Sequence, residues 1–122
     1  GLLTGAYRSE KDFAKGDYRM AGNPRFADGA LAKNLTLVDA IAEIAEQKRA
    51  TPGQIALAWV MAKGDDIIPI PGTKKIKRLE ENIGALKIDL SPADIAAIER
   101  AAPPEAVAGD RYPAASATTL NQ

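Results

Sequence analysis

The chain has 122 residues, 46% of them hydrophobic and 26% charged, the profile of a soluble globular protein that forms one domain or part of a larger one. Formal net charge is zero, so nothing points to a nucleic-acid partner or a basic tail. Cysteine and histidine are both absent. That excludes disulfides, thiolate or imidazole metal sites, cysteine nucleophiles and the commonest general base, and no metal site is expected. No apolar run approaches the roughly 18 residues of a membrane span, and the N-terminus lacks the regions of a signal peptide. A cytoplasmic protein with no membrane partner is expected.

The first five residues, Gly1-Leu2-Leu3-Thr4-Gly5, carry no initiator Met and open on an apolar pair, which predicts the end of a strand cut from a longer chain. Residues 6–31 are polar and irregular, broken by Gly16, Gly22, Pro24 and Gly29. A loop of that length is usually functional or mobile. From about Ala32 to Lys48, Leu37, Val38, Ile41, Ile44 and Ala45 recur at helical spacing and predict an amphipathic helix. Thr51-Pro52-Gly53-Gln54 then supplies an N-cap, a first-turn proline and a capping-box partner. The helix it opens, Ile55 to Ala62, is apolar on nearly every side and is expected to be largely buried.

Ile67-Ile68-Pro69-Ile70 is short, apolar and bracketed by turn residues, which predicts a buried strand with one ladder bond missing at Pro69. After Pro71-Gly72 a helix is expected from about Lys75 to Leu86, and Ser91-Pro92-Ala93-Asp94 caps another that ends near Ala102. Residues 103–122 are rich in Ala, Pro, Ser and Thr and read as an extended or partly disordered tail. A single internal strand cannot make a protected sheet, so the remaining strands are expected elsewhere in a parent chain.

Chemistry concentrates after Gly72. Ile76, Leu79 and Ile83 form an apolar stripe that predicts a core-facing side, while Lys74, Arg78, Glu81 and Asn82 fall on roughly the opposite face. A turn ending in Pro71-Gly72-Thr73 and feeding a helix N-terminus presents free N–H groups and a positive dipole end to an anion. Gly72 permits close approach and Thr73 adds a hydroxyl donor. Lys74, Lys75, Lys77 and Arg78 make the surroundings basic in a neutral chain. Arg78 suits a phosphate or the face of a ring, and Glu81 with Asn82 suits the edge of a purine. Phosphate plus purine is a nucleotide. The other reading of the same residues is a solvated helix face with an Arg78–Glu81 i,i+3 ion pair.

Residues 68–74 with Arg78-Leu79-Glu80-Glu81-Asn82 resemble the signature at the last barrel strand of aldo-keto reductases. Gly1-Leu2-Leu3-Thr4-Gly5 is similar to the end of that family's seventh strand, and Arg19 with Asn23-Pro24-Arg25-Phe26 to the loop that follows. The run from Thr51 to Trp59 resembles the helix before the last strand, and Gly109-Asp110-Arg111-Tyr112 the C-terminal tail. These ordered motifs cover nearly the whole chain.

The resemblance implies an α/β fold, the C-terminal part of a (β/α)8 TIM barrel whose full length is about 250 residues or more. Residues 1–5 would end strand seven, 6–31 form a cofactor and substrate loop, 32–102 hold helices and strand eight, and 103–122 form the tail. It also implies NADP(H)-dependent interconversion of aldehydes or ketones with alcohols. Gly72, Thr73 and Lys74 match the loop that meets the adenosine 2′-phosphate, and Arg78 the residue that contacts that phosphate and flanks the adenine. Glu81 and Asn82 match the pair that hydrogen-bonds the adenine. Gly1 and Leu2 match the edge of the pyrophosphate segment, and Arg19 a loop residue that closes over the cofactor. Gly72 stands where other members place a lysine, which increases the load on Lys74 and Arg78.

The family's catalytic tyrosine, lysine, aspartate and histidine come from earlier strands. Tyr7, Tyr18 and Tyr112 lie outside those contexts, so no catalytic residue is assigned here and the chain alone is expected to be inactive. The expected partners are a small carbonyl substrate and the remainder of the barrel. A different class shares these motifs: a non-catalytic, NADP(H)-sensing regulatory subunit akin to the beta subunits of potassium channels. A stand-alone phosphate-binding module is a third possibility, and its unpaired strand edges predict unfolding or aggregation in isolation. Trp59 reads as core. Phe13, Phe26 and Met20 either border a substrate mouth or pin the loop.

Overall fold

A computed structural model describes residues 1–27 and 29–117. Its helices are α1 (Tyr18–Gly22), α2 (Ala30–Gln47), α3 (Pro52–Met61), α4 (Ile76–Gly84), α5 (Pro92–Ala101) and α6 (Ala114–Ala117). Single 3₁₀ turns lie at Leu2–Thr4, Glu10–Asp12, Ala85–Lys87 and Pro104–Ala106. No strand occurs among the described residues, and no helix among them is long and apolar enough to cross a membrane.

The core forms where α2, α3 and α5 meet. Ile41 and Ala45 of α2, Ile55 of α3 and Ile98 of α5 make one buried cluster, with Ile44, Trp59, Ile88 and Leu90 packed around it. Complete burial of an isoleucine contributes roughly 1.5–3 kcal/mol, and Ile55 is fully enclosed. Trp59 is therefore part of the packing, as its apolar setting predicts, with the Lys63 ammonium 4.5 Å from its ring centroid.

The capping sequences act as expected. The Thr51 hydroxyl accepts from the Gln54 N–H at 3.2 Å and the Gln54 side chain accepts from the Thr51 N–H at 3.0 Å. At α5, Ser91 Oγ accepts from the Asp94 N–H at 3.2 Å, while Asp94 Oδ2 accepts from the Ser91 N–H at 2.8 Å. Asp94 also pairs with Lys48, which ties α5 to the end of α2. The Lys48 ammonium, followed by the Ser91 hydroxyl and N–H, holds the Asp94 carboxyl down from its ordinary 3.8 to about 2. Folding thus favours the ionised form. That contribution is complete above about pH 4 and disappears as pH falls toward 2. Stability measured by urea titration from pH 6 to 2 should show a shallower acid decline for Asp94→Asn than for the parent. Asp17, held at about 2 by Arg19, and Asp12, lowered by the Arg8 and Ser9 N–H groups, contribute to the decline that remains, as does Glu81.

Three expectations are corrected. Residues 1–5 do not end a strand: Thr4 folds back on Gly1 through N–H and hydroxyl bonds to its carbonyl, and Gly5 closes the 3₁₀ turn at φ 69°. The segment 67–70 is irregular and open, with Ile68 81% and Ile70 94% exposed. A strand needs a neighbouring strand to accept its ladder bonds, and none lies among the described residues. The stripe on α4 faces solvent for the same reason, with Ile76, Leu79 and Ile83 all more than half exposed or nearly so.

The loop at 6–31 has more order than its breakers suggest. Tyr7 stacks on Phe13 at 4.7 Å, and Phe13 meets the buried Phe26 edge-on at 5.6 Å. Of the two roles open to Phe13 and Phe26, the structure shows them pinning the loop. The tail is also anchored. Asn34, fully buried on α2, donates to the Arg25 and Ala108 carbonyls at 2.9 Å each and accepts from the Ala108 N–H at 2.8 Å. Gly109 continues that junction at φ +82°, where an added Cβ would sit 2.4 Å from the Pro24 carbonyl oxygen. Asp28 and residues 118–122, the end of the expected tail, lie outside the described residues.

Candidate functional site

The turn at Pro71–Lys75 and the start of α4 face the 3₁₀ turn at Leu2–Thr4 and the first turns of α3 across an open cavity of about 700 Å³. Gly72, Thr73, Lys74, Arg78 and Asn82 line one side, and Gly1 the other. Thus six of the nine residues singled out from the sequence share one space. Between them, Gly53, Ala56 and Leu57 form the floor on α3. An added Cβ at Gly53 would make ordinary contact with the Thr4 methyl at 3.5 Å.

Local chemistry explains why this wall suits an anion. The α3 and α5 N-termini are closed by their own capping boxes, whereas no side chain caps α4, whose N-cap residue is Lys75. Its first N–H groups and positive dipole end remain directed at the turn. Thr73 shapes that turn by accepting from the Lys75 N–H at 3.2 Å. Gly72 meets no protein atom within 4 Å of an added Cβ, so its surroundings are open. Residues 71–80 are all exposed, while Glu81 and Asn82 are half-buried.

Glu81 stands behind the cavity wall. Its Oε2 accepts from Arg78 Nη1 at 2.7 Å and its Oε1 from the Thr51 hydroxyl at 2.9 Å. Burial alone pushes its carboxyl up, but the Arg78 and Thr51 hydrogen bonds outweigh that and leave it below its ordinary value. The ion pair anticipated from i,i+3 spacing is present, and it fixes the guanidinium that lines the cavity.

Leu2 and Arg19 lie apart from the cavity lining. Arg19 forms a two-nitrogen pair with Asp17, at 2.9 and 2.6 Å, and sits 4.0 Å from the centroid of the Tyr7 ring. Its guanidinium is raised above its ordinary value, first by Asp17 and then by Tyr7. Tyr7 does reach the cavity, as do Asp12 and Lys75. Tyr7 and Asp12 carry no site signal in the sequence, because a long irregular loop does not distinguish them from its other polar residues. Thr51 and Gln54 were visible only as a helix start.

The family model described as aldo/keto reductase matches residues 1–103. The chain belongs to the aldo/keto reductase family. It is similar to aldo-keto reductase yakc, named with NADP(+), of Schizosaccharomyces pombe, at 52% identity over 113 residues that cover 93% of this chain and 33% of that protein. It is similar to aldo-keto reductase str7 of Strobilurus tenacellus at 46% over 111 residues, 91% of this chain and 33% of that one. Probable aldo-keto reductase 1 of Glycine max is 47% identical over 93 residues, 76% of this chain and 27% of its own length. This aldo/keto reductase chain spans about a third of the length of these curated relatives.

Proposed function

We propose that this aldo/keto reductase chain holds the adenosine end of NADP(H) within a longer cytoplasmic protein that reduces aldehydes or ketones to alcohols, or runs the reverse oxidation. The observation that supports it is the convergence of Gly72, Thr73, Lys74, Arg78 and Asn82 on one cavity at the uncapped start of α4. The Schizosaccharomyces pombe relative's name carries NADP(+), which agrees with this choice of cofactor.

The residues fit the group. Lys74 and Arg78 carry the positive charge a 2′-phosphate needs, Thr73 a hydroxyl, and the start of α4 unpaired main-chain donors. Asn82 offers both a donor and an acceptor to a purine edge. Glu81, behind the wall with its oxygens on Thr51 and Arg78, would serve the same base through the arginine it holds. Gly1 and Leu2 would border the pyrophosphate and Arg19 the closing loop. When bound, the nicotinamide supplies hydride to the carbonyl carbon. This chain's part is to bind and orient the distant end of the cofactor, and the acid that protonates the carbonyl oxygen would come from the rest of the barrel.

The exposed isoleucines at 68 and 70 and the open stripe Ile76, Leu79 and Ile83 support the barrel assignment. Exposed apolar side chains of this kind are what neighbouring elements of a (β/α)8 barrel cover. The full-length protein should bind NADPH, followed by nicotinamide fluorescence, more tightly than NADH, and should consume NADPH in the presence of an aldehyde panel. Absence of NADPH binding overturns the assignment. Tight binding without turnover on any carbonyl would instead favour the regulatory-subunit reading.

A further inference from the structure

The capping box of α3 makes two bonds that capping does not require. Besides closing its own helix, the Thr51 hydroxyl donates to Glu81 Oε1 at 2.9 Å, and the Gln54 amide donates through Nε2 to the Glu81 carbonyl at 2.8 Å. Each side chain therefore uses its acceptor oxygen on α3 and its donor on α4. Glu81 is gripped at side chain and main chain together, some 30 positions along the chain from Thr51. Gly84 leaves the room for this, since an added Cβ there would stand 2.5 Å from Gln54 Nε2.

We propose that Thr51 and Gln54 are positioning residues for nucleotide recognition, setting Arg78 and Asn82 through Glu81. Two anchor points on one residue fix both the rotation of α4 about its axis and the side-chain torsion of Glu81. The far oxygen of that carboxylate then holds Arg78 Nη1 at 2.7 Å, which orients the guanidinium in the cavity wall. Asn82, next in sequence to Glu81, lines the same cavity and turns with the helix. A long exposed arginine otherwise pays in rotamer freedom when it orders around a ligand, and prior anchoring removes part of that cost.

The proposal rests on the reading that this cavity takes an adenine nucleotide, and the experiment separates the two. In the full-length protein, NADPH affinity and Tm are measured for Thr51→Val and Glu81→Ala, singly and combined, with Thr51→Ser, Gln54→Leu and Arg78→Ala alongside. Thr51→Val is expected to weaken NADPH binding on the order of fivefold or more when Glu81 is present, and by less than about twofold when Glu81 is already alanine. Its Tm should fall in both backgrounds, because the α3 cap is lost in both. Thr51→Ser should restore affinity, and Gln54→Leu should weaken it as Thr51→Val does. Equal loss in both backgrounds, or a lower Tm with unchanged affinity, reduces Thr51 to a helix cap and overturns the proposal. If Arg78→Ala weakens binding while Thr51→Val does not, the positioning role alone fails. If Arg78→Ala also binds normally, the nucleotide reading fails and the proposal with it.

Discussion

Replacing Arg78 with alanine in the full-length protein should weaken NADPH binding by about 1.5–3 kcal/mol, roughly 10- to 150-fold, and leave NADH affinity nearly unchanged. The guanidinium carries five N–H donors, and Glu81 engages one nitrogen at 2.7 Å. The others are available to an oxyanion in the cavity that Arg78 lines. Removing it deletes a charge-assisted bond to the one group that NADPH has and NADH lacks. The residue is half exposed, so salt should weaken the parent's NADPH binding and affect the variant less. Titration by nicotinamide fluorescence at low and high ionic strength measures both effects. An equal loss for NADPH and NADH would place Arg78 against the adenine ring rather than the 2′-phosphate. Unchanged NADPH affinity would remove it from the site.

The second large effect concerns stability. Asn34→Leu should destabilise the protein by about 2–4 kcal/mol, read from the shift in urea midpoint at constant slope. Asn34 is fully buried and satisfies the Arg25 carbonyl together with both main-chain groups of Ala108. Leucine fills similar volume but leaves a part-buried N–H and two carbonyls without their partner, and each such group costs about 1–3 kcal/mol if water cannot replace it. Asn34→Asp should fare no better above pH 5, because a carboxylate keeps the bond from the Ala108 N–H yet opposes two carbonyl oxygens. Both variants should also release the 107–109 segment from the loop at 24–25, visible as faster amide exchange there. A loss below about 0.5 kcal/mol for Asn34→Leu would mean that this junction does not hold the tail.

Both predictions show where local information ends. Asn34 lies on the buried face of α2 between Leu31 and Val38, ahead of the apolar stripe that begins at Leu37, so the spacing did not single it out. What it binds lies 74 positions away, and no periodicity encodes that. Glu81 is similar. Its helix and its pairing with Arg78 follow from i,i+3 geometry, whereas the grip from Thr51 and Gln54 arises only when α3 and α4 pack side by side. The aromatic cluster of Tyr7, Phe13 and Phe26 likewise gives order to a segment whose glycines and proline predict none.

The four long helices, the capping residues of α3 and α5 and the basic turn that opens α4 were legible from the sequence by itself. Capping, proline placement and apolar spacing act within a few residues, so their energetics travel with the segment wherever it packs. Two expectations that depend on partners were decided otherwise by the tertiary structure: residues 67–70 lie open, and Ile76, Leu79 and Ile83 face outward. A strand without a neighbour has no ladder, and an apolar stripe without a facing surface has nothing to exclude water against. Tertiary packing also determined how the stretch from Pro71 to Asn82 is arranged: Arg78 and Asn82 line the cavity, while Glu81 turns back to bind α3. Spacing could place those three on one face of a helix, but only the neighbouring helix, by supplying hydrogen-bond partners, could tell them apart.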